Sequence, residues 1–551
     1  MPRFSYDDQV TTAQSKRTSP MRARWLAPTV AGLLLLSVGA GTGIGRETAA
    51  GTHPRARAAR TATMAPPFTP GACPFKPGKG LTAGTDIRCG YVTVPADHAK
   101  PTGATIKLPV AIFKSHSAQR QPDPVLSLQG GPGGSWVGVL GPAITARSEP
   151  LYVGDRDLVL VDQRGTGFAQ PSLACSPPAA KRVDPLQRTT PAQAAAQQEE
   201  IYAQCHDELV GKGIDLSVYN TVQDARDVDA VRAALGYNKV NLYGVSYGTE
   251  LAQVVMRLYP AHIRSVVLDS VEPVQNSLLL DETTNPARGL RTLFAGCAAS
   301  PACNAAFPHL DATFDRTVRR LDAHPVVIAT LDLTGTPARD PTTGKPARSL
   351  LTGQAFAGLI TQAQYVAALI PVLPFGIART AAGNYRFPGL LAGVSAGIEK
   401  TINRAMFYSV VCSEDAPYTT PGQIAAAAAL APPESRHALL VGQQSQLTLC
   451  RRWGVTALPP SFKAPLRSAI PTLLLEGAYD PITPVTNARA VAAGLHTHTL
   501  VLFPAYGHGE QGSGPCPSAI IQSFQDHPTA KPNTTCAMGL SGPAFLTKAA
   551  S

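Results

Sequence analysis

The chain has 551 residues, 44% of them hydrophobic and only 15% charged, a balance that excludes a disordered polymer and allows a large apolar core. At about 150 residues per domain, the length allows three or four domains. The formal charge of +11 is concentrated at the start, where residues 1–64 hold nine Lys/Arg against Asp7, Asp8 and Glu47; with no basic runs interleaved with aromatics elsewhere, nucleic acid is excluded as a partner.

From Trp25 to Gly45 no residue is charged, and this stretch follows Arg22 and Arg24 and contains Leu33 to Leu36. A basic region, a short apolar region and then small residues (Val38-Gly39-Ala40 or Thr48-Ala49-Ala50) is the order of a secretory signal peptide. A retained membrane anchor is the rival reading, but Pro28, Thr29, Ser37 and the glycines dilute its apolarity. Met21 is an alternative start, and residues 51–66, with Arg55, Arg57 and Arg60, read as a processed or disordered leader. The expectation is a secreted protein, extracellular or cell-wall associated, with no stable membrane association after cleavage.

Ten cysteines fit an oxidising compartment, falling as five couples along the chain: Cys73 and Cys89, Cys175 and Cys205, Cys297 and Cys303, Cys412 and Cys450, Cys516 and Cys536. Sequence alone does not fix connectivity, yet bridges closing short local loops are the economical choice, so five sequential disulfides are expected rather than buried free thiols. There is no Cys-x-x-Cys and no His-Glu-x-x-His, so no metal site and no cofactor are expected. His496 and His498 share a strand face and read as solvent-facing.

After the leader, Gly90–Val94, Ile106–Phe113 and Val125–Leu128 read as opening strands. Asp157–Val161 is a short, nearly continuous apolar run of the kind buried on both faces of a parallel sheet. Thr221 with Asp224 resembles a capping box, and Val222, Val228, Val231 and Leu235 carry a helix that Gly236 ends. Val240–Tyr243 is a strand, a helix runs to about Leu258, and Ser265–Leu268 is the next strand. Strands alternating with helices predict an α/β fold with a mainly parallel sheet. From 276 to 465 the pattern turns helical, including Ile424–Leu430, broken by a Pro/Thr/Gly-rich stretch at 334–346, and reads as an inserted, mostly helical cap. Strands resume at Thr472–Leu475 and Thr499–Phe503. The expected divisions are a signal peptide and leader (1–64), a first core part (65–275), the cap (276–465) and a C-terminal core part (466–551).

Chemistry points to Gly244-Val245-Ser246-Tyr247-Gly248, a Gly-x-Ser-x-Gly between a strand and a helix. In such a nucleophile elbow the turn is so tight that only glycines fit beside the serine, whose Oγ is lifted above the sheet. A serine hydroxyl needs a histidine to take its proton, and the histidine a carboxylate to hold its tautomer. Asp480, after the strand ending at Leu475, and His508, between Gly507 and Gly509 after the strand ending at Phe503, follow Ser246 in the required order. Asp269 also follows a strand and is the rival acid; His262 and His437 read as helix-surface residues. An oxyanion hole needs preorganised N–H donors, expected from Tyr247 and from Gly131 in Gln129-Gly130-Gly131-Pro132-Gly133-Gly134-Ser135. The phosphate-loop alternative lacks a closing Gly-Lys-Ser/Thr.

Together with Asp162-Gln163-Arg164-Gly165-Thr166-Gly167, these segments resemble the α/β-hydrolase serine aminopeptidases related to prolyl iminopeptidase, and among them the secreted tripeptidyl aminopeptidases, over about residues 70 to 540. Gln129 stands where the prolyl iminopeptidase form has histidine, and Arg164 reads as structural. The resemblance implies the α/β-hydrolase fold, peptide substrates with a free N-terminus, and cap carboxylates that bind the α-ammonium group. Cys412-Ser413-Glu414-Asp415 resembles the family's Cys-x-acidic stretch, which makes Glu414 the first candidate and Asp415 the second. The expected function is a secreted serine aminopeptidase releasing tripeptides through an acyl-enzyme. The alternatives are a secreted esterase acting on small acyl substrates and a non-catalytic binding protein on the same fold.

Overall fold

Short apolar runs divided by turn residues become eleven strands among the described residues: β1 (Phe68–Gly71), β2 (Ile87–Pro95), β3 (Thr105–Phe113), β4 (Val125–Leu128), β5 (Leu158–Val161), β6 (Val240–Ser246), β7 (Ile263–Val271), β8 (Val326–Ala329), β9 (Arg348–Leu351), β10 (Thr472–Gly477) and β11 (His498–Phe503). The structure, a computed structural model, describes residues 67–548 except 176–183, 333 and 341–342. The expected signal peptide and leader therefore lie outside the described residues. Among the described residues no helix is long and apolar enough to cross a membrane.

Nine strands form one sheet in the order β1-β2-β3-β5-β4-β6-β7-β10-β11. The pairs β1/β2, β2/β3 and β3/β5 are antiparallel, and from β5 to β11 the sheet is parallel. Register pairs Leu128 with Gly244, Gly244 with Leu268, Leu475 with Asp269 and Gly477 with Phe503, so the loops that leave these strands converge at one edge. Ligand sites of open parallel sheets form at that carboxyl edge. The central strands are apolar throughout because both faces are covered: Val159 and Val161 pack into one core, and Leu158 and Leu160 into the other. The helix Tyr247–Leu258 covers the first face, and the helices Trp136–Ala143 and Pro515–Asp526 cover the second.

Between β7 and β10 the chain is mostly helical and builds a third core from Leu290 to Leu391, joined by Tyr479. Farther along, Met406, Val410, Leu447 and Trp453 pack into the sheet's first core instead. The stretch also holds the antiparallel ribbon β8/β9, strands that the sequence pattern did not mark. The helix Thr221–Ala234 corrects another expectation. Its cap is Asn220, whose side chain accepts from Gln223 N, while the Thr221 N–H is held by Glu414. The ten cysteines pair sequentially in five disulfides, with Cα–Cα separations of 4.9–5.8 Å.

Candidate active site

β6 delivers Ser246 at φ 58° and ψ −131°, a strained setting for a non-glycine residue, before the helix Tyr247–Leu258 starts. The turn is closed by two glycines. A Cβ on Gly244 would lie 2.3 Å from Gly248 O, and one on Gly248 would lie 2.2 Å from Leu128 O. The loop after β4 comes equally close, since a Cβ on Gly130 would lie 2.7 Å from Ser246 Cβ. The Gly130 N–H donates to Gln129 Oε1 at 2.8 Å, so the side chain in the position of the family's histidine tethers its own loop. Gly131, Ser246 and Tyr247 line one cavity of about 420 Å³ together with His508.

His508 and Asp480 come from the loops after β11 and β10. His508 Nδ1 lies 2.8 Å from Asp480 Oδ2, and Asp480 also accepts from Ile482 N, Thr483 N and Thr483 Oγ1 at 2.7–2.9 Å. Burial favours the neutral carboxyl, but the His508 charge and these hydrogen bonds outweigh it and hold Asp480 below the usual range. Burial also depresses His508, and the Asp480 carboxylate more than reverses this, so the imidazole sits above its ordinary value. Tyr365, from the inserted stretch, packs its ring 4.7 Å from the His508 ring and accepts from His508 N with its carbonyl. The rival Asp269 is turned elsewhere: Tyr243 OH donates to it at 2.5 Å, and Glu510 N and Gln511 N do so at 2.8 and 3.0 Å.

Glu414 and Asp415, the acids expected to hold the substrate, are not among the residues that line this cavity. Glu414 is buried and accepts from Thr221 N and Thr221 Oγ1, both at 2.7 Å. Burial pushes its carboxyl up to about 8 against those hydrogen bonds and the charge of Lys463. Asp415 is ion-paired to Lys463 Nζ at 2.5 Å. The acids on the cavity wall are instead Glu250, Glu272 and Glu282, joined by Glu399. Burial raises the first three carboxyls; Lys463, 3.8 Å from Glu250, opposes this at Glu250, and Arg404 opposes it at Glu282. At Glu272 the neighbouring charges are Asp281, Glu250 and Asp415, all acidic. Glu250 had a signal in the sequence, being four residues after Ser246 and so one helical turn along the elbow helix. Tyr365 had none.

Arg164 is fully buried, bridges both Asp227 carboxylate oxygens at 2.8–2.9 Å and donates to the Ala96 and Val218 carbonyls. It belongs to the framework rather than the cavity. Asp162 holds the loop after β4 by accepting from Ser135 Oγ and Val137 N. Burial pushes its carboxyl up to about 6 despite those bonds. His496 and His498 are exposed, as expected.

The chain has the α/β-hydrolase fold. Residues 123–346 match the alpha/beta hydrolase fold family, and residues 438–536 match the TAP-like protein family. It is 37% identical over 193 residues to a tripeptidyl aminopeptidase of Streptomyces lividans, a stretch covering 34% of this chain and 35% of that protein. It is 31% identical over 233 residues to the serine protease Hip1 of Mycobacterium tuberculosis, covering 40% of this chain and 42% of that protein. A protein named carboxylesterase B from the same species is 30% identical over 226 residues, covering 39% and 42%. The matched stretches thus span less than half the length of these relatives.

Proposed function

We propose that this chain is a secreted serine aminopeptidase that releases tripeptides from peptides with a free N-terminus. In this reading His508 Nε2 takes the proton of Ser246 Oγ as it attacks the scissile carbonyl. Asp480 accepts the Nδ1–H, which fixes the tautomer and stabilises the imidazolium. The Tyr247 and Gly131 N–H groups receive the oxyanion. His508 then passes its proton to the leaving amine, and water attacks the acyl-enzyme with His508 as base in the second half.

One observation carries the aminopeptidase reading: the buried acids Glu250 and Glu272 and the half-buried Glu282 line the same cavity of about 420 Å³ as Ser246 and His508. Burial disfavours the ionised form of these carboxyls, and a cation held beside them favours it. The α-ammonium group of a peptide is such a cation. Held there, it sets how many residues separate the N-terminus from Ser246. Five disulfides support an oxidising, extracellular setting. Similarity to a protein named carboxylesterase B favours a second reading, an esterase for small acyl groups.

One assay separates the two. Residues 65–551, made in an oxidising host, are given free and N-acetylated mono-, di- and tripeptidyl anilides and simple esters, with Ser246→Ala as control. Release from the free tripeptidyl anilide alone, lost in the variant, supports the aminopeptidase. Indifference to acetylation, or activity on esters only, supports the esterase.

A further inference from the structure

The cavity that holds Ser246 and His508 shares wall residues with two larger hollows. One, of about 1030 Å³, shares Glu399, Ile402 and Arg404 with it and passes the far end of the loop after β4 at Gly133 and Ser135. The other, of about 840 Å³, shares Gln362, Tyr365, Ile482 and Glu399 with it. They meet the reacting groups on different sides. Tyr365 packs its ring on His508 and accepts from its N–H, and Ile482 N donates to Asp480 Oδ1 at 2.8 Å. The second hollow therefore starts beside the histidine, and the first starts beyond the glycine loop.

Reaction chemistry tells which part of a peptide goes where. The imidazole must hand its proton to the leaving nitrogen, while the oxyanion donors face the carbonyl oxygen. Chain that follows the scissile bond consequently departs on the histidine side. We infer that the hollow of about 840 Å³ receives the leaving segment of a peptide substrate and selects apolar side chains there. This inference rests on the aminopeptidase reading and adds a specificity to it, downstream of the bond that is cut.

The walls suit that occupant. Leu290, Ile328, Leu351, Leu359 and Leu439 face the space. Apart from Tyr365, the ionisable residue on its wall is Glu399, at the mouth, where Arg404 holds both of its oxygens at 2.6 and 2.8 Å. A charged side chain entering from the catalytic cavity would lose water there without gaining an unengaged counter-charge. An apolar one would leave water for an apolar wall, at a site that shares Tyr365 and Ile482 with the catalytic cavity. On the helix Gly353–Ala363, Gly358 also lines the hollow, and a Cβ on it would have nothing within 4 Å. A large side chain at Gly358 would therefore extend into open space rather than strain the fold.

The test uses pentapeptides that share one accepted tripeptide followed by Leu-Leu, Gly-Gly or Asp-Asp, beside the anilide of that tripeptide. A methylene-sized difference in a fitted apolar site is worth about 10- to 200-fold in kcat/KM, so Leu-Leu should exceed Asp-Asp at least about tenfold. Gly358→Trp should lower the ratio of Leu-Leu peptide to anilide by a similar factor, with Gly358→Ala close to the parent. Equal cleavage of Leu-Leu and Asp-Asp peptides by the parent protein overturns the inference while leaving the aminopeptidase reading in place. So does a Leu-Leu preference that survives Gly358→Trp and disappears in Phe168→Asp, because Phe168 lines the other hollow. Failure to cut any free peptide or anilide removes both the reading and the inference. If Gly358→Trp does not fold, the substrate comparison on the parent, repeated with Ser395→Trp from the facing wall, decides the matter.

Discussion

Replacing Glu272 with Gln keeps the shape of the cavity wall and removes the ionisable carboxyl on which the proposed ammonium recognition depends. Of the three acids it is the best placed to change selectivity, because its charged neighbours are acids, whereas Lys463 engages Glu250 and Arg404 acts on Glu282. A hydrogen bond to a charged partner contributes about 1.5–3 kcal/mol, which is roughly 10- to 150-fold in kcat/KM for a substrate with a free N-terminus. A full Coulomb contact at about 4 Å and an effective dielectric of about 20 sets a ceiling near 4 kcal/mol. An N-acetylated substrate has no ammonium group, so the readout is the ratio of kcat/KM for free over acetylated tripeptidyl anilide, measured across pH. The sign follows from burial. Burial raises the pKa of Glu272 well above the ordinary carboxylate value, so it ionises at higher pH than a free carboxyl does. The substrate amine loses its proton above about 7.7–8.0. The ratio should climb with pH as Glu272 ionises and fall again as the amine becomes neutral; in Glu272→Gln the climb should flatten and the maximum drop. An unchanged ratio in Glu272→Gln refutes the assignment. An equal loss in Glu414→Gln, a residue outside the cavity, would restore the assignment expected from the sequence.

Asp480 raises the pKa of His508 net of burial, so kcat/KM should fall as the pH drops through a value above the ordinary 6.5 or so of histidine, and Asp480→Asn should lower kcat by about 10⁴-fold. A pH–rate profile with its acid limb below that value contradicts the pairing. Gly130→Ala would force a Cβ to 2.7 Å from Ser246 Cβ and 2.9 Å from Val245 O. Displacing the oxyanion loop in this way should lower kcat by about 10²-fold or more, measured with the free tripeptidyl anilide. The Cys412–Cys450 bridge spans 38 residues and Cys297–Cys303 spans 6. Loop-closure entropy then assigns about 3.9 and about 2.2 kcal/mol to them, so the double serine variant of the longer loop should show the larger loss of stability in urea unfolding.

The parts of the fold legible in the sequence were those set by local pattern. β4, β5 and β10 read as continuous apolar runs because both faces of a parallel sheet are covered, and no partner strand had to be guessed to see it. β1 escaped because Pro70 and Gly71 mark a turn locally, and only its antiparallel seat on the sheet edge beside β2 makes a strand of it. β8 and β9 escaped for a related reason: each has four residues, and they pair across the Pro/Thr/Gly-rich stretch that hid them.

The same division runs through the site. Ser246 ends one parallel strand, and Asp480 and His508 follow two others, so the local strand pattern and chain order were what put them forward. Asp269 satisfied the same local rule. What separates it from Asp480 is tertiary: Tyr243 OH and two backbone N–H groups occupy Asp269, while Asp480 meets His508. The engagement of Glu414 was hidden for the same kind of reason, since its partner Thr221 lies 193 residues away in sequence. A motif can say that an acid is present, but a carboxylate binds an incoming cation only where the fold leaves its charge uncompensated and facing the cavity. Asp415 is answered by Lys463, and Glu272 lies among acids on the wall of the cavity that holds Ser246, so the search for the ammonium site moves from the acids nearest the disulfide to those nearest the nucleophile.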